Sequence, residues 1–416
     1  MEKWLAVNGQ TRWVNKLKIV LISSFVPKKC GIATYSRDLI NGIEKSHNVD
    51  WRLVAAEDNK ESYAYDGKNV AVLKKDSLAS YIAAADAVNK WKPDIVLFEH
   101  EYGLYGGDWV DFVSKGKKRH DPTGNYALEL INKITAPVVT TLHTVVSEPD
   151  ETRREIMRAV SKRSSAVIAM TKDTANILKR DYGISGSHIS VIPHGVPEVV
   201  DKDKESVLRS INLNTDRFYL LITGLIGPNK QIDLVIKALP AILEKHPKVM
   251  LIVAGQTHPD ILAADGEKYR ESLLRLAKKL GVCDSLIFVN EYLELSTLVK
   301  YMSIADIYLT IHKDPEQAAS GTLAYALGCG LLSVSTPYRY AKEVLSDGRG
   351  FLVPFNSPRA IADKVNSLIE DPKLQKNTRQ KAVELGKKMS WPIVGKSYVD
   401  LFNDILDKRS SEYKIL

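Results

Sequence analysis

At 416 residues the chain exceeds what one hydrophobic core ordinarily supports, so two domains of about 200 residues each are expected. It is 44% hydrophobic and 26% charged, a globular composition, and its three dispersed cysteines, Cys30, Cys283 and Cys329, give no metal-ligand spacing and no disulfide framework, which fits a reducing cytoplasm. A net charge of +8 favours anionic ligands such as phosphates, or an acidic membrane face, while the scatter of Lys and Arg without aromatic platforms argues against a nucleic-acid partner.

The N-terminal stretch MEKWLAVNGQTRWVNKLK is polar and has no continuous apolar run, so no secretory signal is expected. Short Val- and Ile-rich runs then alternate with amphipathic segments, the pattern of parallel sheets built from βαβ units. In the first half the strand candidates are KIVLISSF, WRLVAA, VAVL, DIVLFEH, PVVTTLH, SAVIAM and ISVIPH. Within that half, SKGKKRHDP at residues 114–122 reads as a solvated loop, or as a peripheral surface for an anionic acceptor or lipid headgroups. The charged stretch GVPEVVDKDKESVLRSINLNTD lacks an apolar period and reads as a linker.

Beyond it, FYLLITG, VMLIVAG, LIFVN, DIYLTI, LLSVST and GFLVPF are the strand candidates of a second doubly wound unit. The longest uncharged run, residues 317–338, is interrupted by Gly, Ser, Thr and Pro, and parses as a buried helix beginning near Ala318 plus a strand rather than a transmembrane span. Near the C-terminus, Val394, Tyr398, Leu401, Phe402 and Ile405 recur at helical spacing, so a last amphipathic helix should pack on the first domain. The boundaries are 1–200 for the first domain, 212–389 for the second and 390–416 for the returning helix.

Ligands of open parallel sheets sit beyond the carboxyl ends of the strands, where loops enter helix N-termini. After the first strand comes VPKKCGIATYSRDLI, where Gly31 admits close backbone approach or makes a tight turn. The dinucleotide pattern G-x-G-x-x-G is absent. FEHEYGLYGGDW leaves a strand and delivers His100, Glu101, Tyr102 and Tyr105 into a Gly-rich loop, which is either a binding loop or simply a polar and aromatic one. In the second half TGLIGPNKQIDLVIKALP frees its loop with Gly224 and Gly227, and Lys230 opens a helix running to about Leu239. A lysine at a helix start is unfavourable to the dipole unless an anion neutralises both, so it is either a phosphate ligand or simply solvated. Gly255 again ends a strand in VAGQ.

Taken in order, GIATYSRDLI, VVTTLHTV, ISVIPHGVP, TGLIGPNK, LIVAGQ and EQAASGTLAYALGCGLLSVST resemble the retaining family-4 glycosyltransferases of the GT-B fold over nearly the whole chain. The resemblance implies two Rossmann-like domains facing across a cleft. It implies a hexosyltransferase of carbohydrate or polysaccharide biosynthesis that moves a mannose- or glucose-type unit from a nucleotide sugar to a saccharide or other hydroxyl. It implies catalytic roles for Glu316, His143 and Lys230, and donor contacts at Gly31, Ile32, Gly224, Lys230, Gly255, Tyr292, Glu316, Ser320, Gly321 and Thr322. His100, Glu101, Tyr102 and Tyr105 stay with the acceptor.

Two departures bear on the donor. The family's arginine after the loop glycine is Leu225 here, and the second acid of its E-x7-E motif, which holds a ribose, falls on Ala324. A compensating acceptor at Glu291 or Tyr292 is one expectation. A phosphorylase using a sugar 1-phosphate, a sugar-binding protein without turnover, and a sugar-phosphate epimerase sharing the fold are the alternatives. No cofactor is expected, and no D-x-D stands where a metal would bridge a diphosphate: the DKD at 201–203 lies in the linker.

Overall fold

The computed structural model describes residues 5–7, 10–12, 16–57, 62–65, 67–106, 126–198 and 203–413. The basic cluster at 114–122 lies outside them. Two compact units result: residues 1–193 with 391–416, and residues 194–390.

A short antiparallel pair, β1 (Leu5–Val7) and β2 (Gln10–Arg12), opens the chain. Every strand candidate of the first half then forms a strand: β3 (Leu17–Ser23), β4 (Val49–Glu57), β5 (Asn69–Lys74), β6 (Ile95–His100), β7 (Val138–Leu142), β8 (Ala166–Ala169) and β9 (Ile189–Val191). They pair in parallel in the order β5-β4-β3-β6-β7-β8-β9. The central strands are apolar on both faces because helices cover both, and so they read as unbroken runs such as Ile19 to Ile22.

The second unit holds β10 (Phe218–Thr223), β11 (Val249–Ala254), β12 (Leu286–Val289), β13 (Ile307–Thr310), β14 (Leu332–Ser335) and β15 (Phe351–Leu352). Their order is β12-β11-β10-β13-β14-β15, all parallel. Both sheets reverse their winding once, between β3 and β6 in the first unit and between β10 and β13 in the second. Such a switch point leaves an open crevice at the strand ends, where open α/β sheets bind ligands.

The last helix, Trp391–Tyr413, packs on the helix Gly31–Ser46 of the first unit through a near-contact of backbones. A Cβ on Gly42 would fall 2.3 Å from the Trp391 carbonyl oxygen, and one on Gly395 would fall 2.5 Å from the Gly42 carbonyl carbon. Val394, Tyr398 and Phe402 are buried along that face. No helix among the described residues is long and apolar enough to cross a membrane.

The structure departs from the sequence reading in three places. The charged linker contains a helix, Lys204–Ser210, capped by Asp203, which accepts from the Glu205 and Ser206 amides. Two buried apolar residues, Val207 and Leu208, anchor it, too few to register as a period. Lys230 closes a 3-10 turn, Pro228–Lys230, rather than opening the helix, which runs Ile232–Lys245 through Pro240. Burial of Val235, Ala238, Leu239 and Ile242 outweighs the hydrogen bond Pro240 cannot donate. Finally, the helix expected near Ala318 begins at Gly321 with Ser320 as N-cap, so Glu316 is not the cap of this helix.

Candidate functional site

In the second unit the switch point sets Leu220 of β10 opposite Ile307 of β13, and the loops that follow these two strands meet. Beyond β10 the chain turns at Gly224, φ +98°. Gly255, φ +152°, ends β11 so close by that a Cβ on it would sit 2.1 Å from the Gly224 carbonyl oxygen. The 3-10 turn then swings Lys230 back over the strand it came from, and its Nζ donates to the Thr223 carbonyl at 2.9 Å. A Cβ on Gly224 would lie 3.2 Å from both Lys230 Nζ and Thr322 Cγ2, so lysine and Thr322 converge on one small volume.

Among the described residues Lys230 has no carboxylate partner, and burial alone pushes its ammonium down to about 8. A half-buried ammonium that donates to a carbonyl and has no carboxylate partner among the described residues is poorly compensated, and an incoming anion would restore the lost stabilisation.

Thr322 stands in the first turn of the helix Gly321–Gly328, whose opening amides have no intrahelical acceptors. The Ser320 hydroxyl accepts from the Leu323 amide at 3.4 Å and leaves Gly321 and Thr322 at the helix mouth. The positive end of the helix dipole thus adds to the Lys230 charge. Lys230, Gly224, Gly255, Ser320, Gly321 and Thr322 are therefore one cluster. His194 joins it unannounced by the sequence reading: its Nε2 would be 3.1 Å from a Cβ on Gly321, and the ISVIPHGVP stretch that carries it was the only signal.

Glu316 lies four residues before the cap, and Arg339 Nη1 is 3.5 Å from its Oε2. The Glu316 side chain keeps 39% of its accessibility, whereas Arg339 keeps 9%, so the buried member of the pair is the arginine. Arg339 was not anticipated, since nothing in the local pattern marks a charge for burial. Ala324 is fully buried. An acid at that position would have to hide its charge, so Ala324→Glu should cost on the order of several kcal/mol, read as an earlier melt, and calorimetry with a nucleoside diphosphate should show no gain in affinity. Tyr292 and Glu291 follow β12, the edge strand that β11 separates from β10.

The other expected residues belong to the first unit. Gly31 and Ile32 begin the helix Gly31–Ser46, which Cys30 caps by accepting from the Ala33 amide at 3.3 Å. A Cβ on Gly31 would meet nothing within 4 Å. At the end of β7, His143 Nε2 is 2.7 Å from Oε2 of Glu99, a fully buried carboxylate that the sequence reading passed over. The pairing of β6 with β7, with the His143 amide on the His100 carbonyl at 3.1 Å, makes this contact. The His143 ring meets Tyr35 edge-on at 4.7 Å, and the Tyr35 hydroxyl is 2.8 Å from that of Tyr398 on the last helix.

His100 is buried, and that burial, followed by the nearby His143, lowers it to about 4. Burial raises Glu101, although its carboxylate accepts from the Thr144 hydroxyl at 2.8 Å and the Tyr102 amide at 2.7 Å. Tyr102 stands edge-on to His100 at 5.3 Å. Tyr105 is corrected outright: it is a core residue whose hydroxyl donates to the carbonyls of Glu99 (2.8 Å) and Ile22 (3.2 Å), leaving nothing for an acceptor.

Comparison with known proteins follows the same division. Residues 203–385 match the family model described as glycosyl transferases group 1, and residues 120–198 match that of glycosyltransferase family 4. A D-inositol 3-phosphate glycosyltransferase of Catenulispora acidiphila is 28% identical over 280 residues, 65% of this chain and 63% of the relative. An uncharacterized glycosyltransferase of Methanocaldococcus jannaschii is 26% identical over 61% of this chain and 62% of its own length. The chain thus matches less than two thirds of the length of these relatives.

Among solved structures, Anabaena Alr3699/HepE in complex with UDP and glucose superposes with a TM-score of 0.69 at 16% identity, covering 93% of this chain and 99% of that one. Sucrose-phosphate synthase of Thermosynechococcus elongatus gives 0.70 at 18%, covering 94% and 100%. At such identities the likeness is one of fold, and that fold is GT-B with two Rossmann-like domains.

Proposed function

Because the chain belongs to the group 1 and family 4 glycosyltransferases, we propose that it moves a hexosyl group, with retention, from a nucleotide sugar to a hydroxyl of a saccharide or other acceptor. The observation that carries this reading is the uncompensated Lys230 ammonium at the mouth of the helix Gly321–Gly328. A departing phosphate develops negative charge, and a preorganised cation with helix amides stabilises it without any further cofactor. The Anabaena structures with UDP and with UDP-glucose support a nucleotide sugar as donor. Glu316 would accept hydrogen bonds from sugar hydroxyls as positive charge grows on the ring. In the first unit, Glu99 holds His143 in one tautomer and orientation, and His143 with Glu101 and Tyr102 would serve the acceptor.

A second reading has its own support. Because Ala324 is buried and offers no oxygen to a ribose, a phosphorylase working on a sugar 1-phosphate needs nothing that this site lacks.

Glu316→Gln separates chemistry from packing. The amide keeps an acceptor but removes the charge from one partner of buried Arg339, so a modest loss of melting temperature is expected. Serving the sugar demands more, a rate at least about tenfold lower, or ~1.4 kcal/mol of transition-state stabilisation. Assays of the wild type with UDP-glucose and GDP-mannose, beside glucose 1-phosphate with free phosphate, decide between the two readings. A Glu316→Gln variant that melts early yet turns over normally removes Glu316 from the chemistry.

A further inference from the structure

His312 follows β13 and retains only 9% of its accessible surface, and its Nδ1 finds no hydrogen-bond partner among the described residues. Its backbone is clamped from two sides. The His312 carbonyl accepts from the Thr336 hydroxyl at 2.8 Å, and the next amide, that of Lys313, donates at 2.9 Å to the carbonyl of Asn229, the neighbour of Lys230. The imidazole packs edge-on to Tyr338, ring centres 5.0 Å apart. The Tyr338 hydroxyl in turn reaches Thr310 at 3.2 Å and hydrogen-bonds the Ser320 cap.

The His312 backbone is therefore fixed next to the loop of Lys230, its ring packs on the tyrosine that reaches the Ser320 cap, and one polar atom is unspent. Buried polar atoms are nearly always satisfied, and an exception beside a binding cluster calls for an explanation, of which a bound ion is one. Burial, and then the Lys230 charge, hold the imidazole at about 3, so it is neutral wherever the protein would be assayed. A neutral ring carries one N–H and one acceptor nitrogen, and an anion nearby selects the tautomer that points the N–H at it.

We propose that His312 is a ligand of the anion bound at Lys230, donating its Nδ1–H to a phosphoryl oxygen. This rests on the phosphate reading of the Lys230 site and adds to it a directional contact. Lys230 supplies charge without orientation, whereas a fixed ring N–H defines where one oxygen must lie. A second full charge beside Lys230 would be costly, and a neutral donor avoids that cost.

Titration calorimetry at pH 7 with UDP and with glucose 1-phosphate tests this on the full chain, using wild type, His312→Phe, His312→Asn and Lys230→Met. Phe keeps the ring volume and removes the donor, so its affinity for the phosphate probe should fall about tenfold, the scale of one hydrogen bond to a charged group. Asn puts an N–H within reach of the Nδ1 position and should recover most of that loss. Removing an unsatisfied buried nitrogen should leave the Phe variant melting no earlier than wild type. Phe binding as tightly as wild type while Lys230→Met does not bind would overturn the His312 contact and leave the phosphate site standing. Asn binding no better than Phe would also overturn it. Wild type binding neither probe would remove the phosphate reading itself, and this inference with it. Whichever probe the donor contact favours identifies the phosphate source as nucleotide or sugar phosphate.

Discussion

Lys230→Met should lower the transfer rate by a factor of about 10² to 10³, roughly 2.7 to 4 kcal/mol of transition-state stabilisation, while leaving the second unit folded. The methionine is of similar length and lacks the charge and the hydrogen bond to the Thr223 carbonyl. The residue's titration supplies a second signature. In the ligand-free protein its folded value, about 8, lies below the ordinary 10.5 of a lysine. Below pH 8 the group is charged in both the folded and unfolded states, and its burial penalty is fully present.

Between about 8 and 10.5 the unfolded chain binds more protons than the folded one, so the Lys230 contribution to stability rises with pH. A bound phosphate pulls the lysine back toward its ordinary value. Affinity should therefore fall over the same interval in which the free protein gains. Melting curves and phosphate affinities collected from pH 7 to 10.5 should show these opposite trends in wild type relative to Lys230→Met. Equal trends in the two proteins would mean that Lys230 is neither buried in solution nor on the anion.

Gly255→Ala should be the most damaging single methyl in the second unit. A Cβ there would stand 2.1 Å from the Gly224 carbonyl oxygen, a backbone atom that can retreat only by moving β10 away from β11, and φ of +152° is strained for any residue with a side chain. Strain and overpacking together come to about 3 kcal/mol or more, a fall in melting temperature of roughly 6–12 °C for a unit of this size. Because Gly224 abuts Lys230 Nζ, phosphate affinity should fall with it. Gly31→Ala is the contrast: its Cβ would meet nothing within 4 Å, so the melt should not move, and any loss of activity there would come from a ligand rather than from packing. Differential scanning calorimetry of the two variants side by side distinguishes these glycines, which look alike in sequence.

The strands and their parallel grammar are legible without coordinates, because a strand covered by helices on both faces must be apolar throughout, and runs such as LLIT and IVLF cannot be mistaken for solvated segments. The sequence also located the loops bearing Lys230, Glu316 and Ser320, since the ends of such strands are where glycines and polar residues collect. Tertiary structure alone decided what those residues touch. Burial of Ala324 and Tyr105, the pairing of Glu99 with His143 and of Arg339 with Glu316, and the unspent nitrogen of His312 all join segments separated by 20 to 50 residues or packed by a third element. Local pattern reports which face of an element is apolar, but the partner of a buried polar atom depends on strand order and register. Where β10 lies beside β13, a lysine and a histidine eighty residues apart become neighbours, and no periodicity within either segment records that fact.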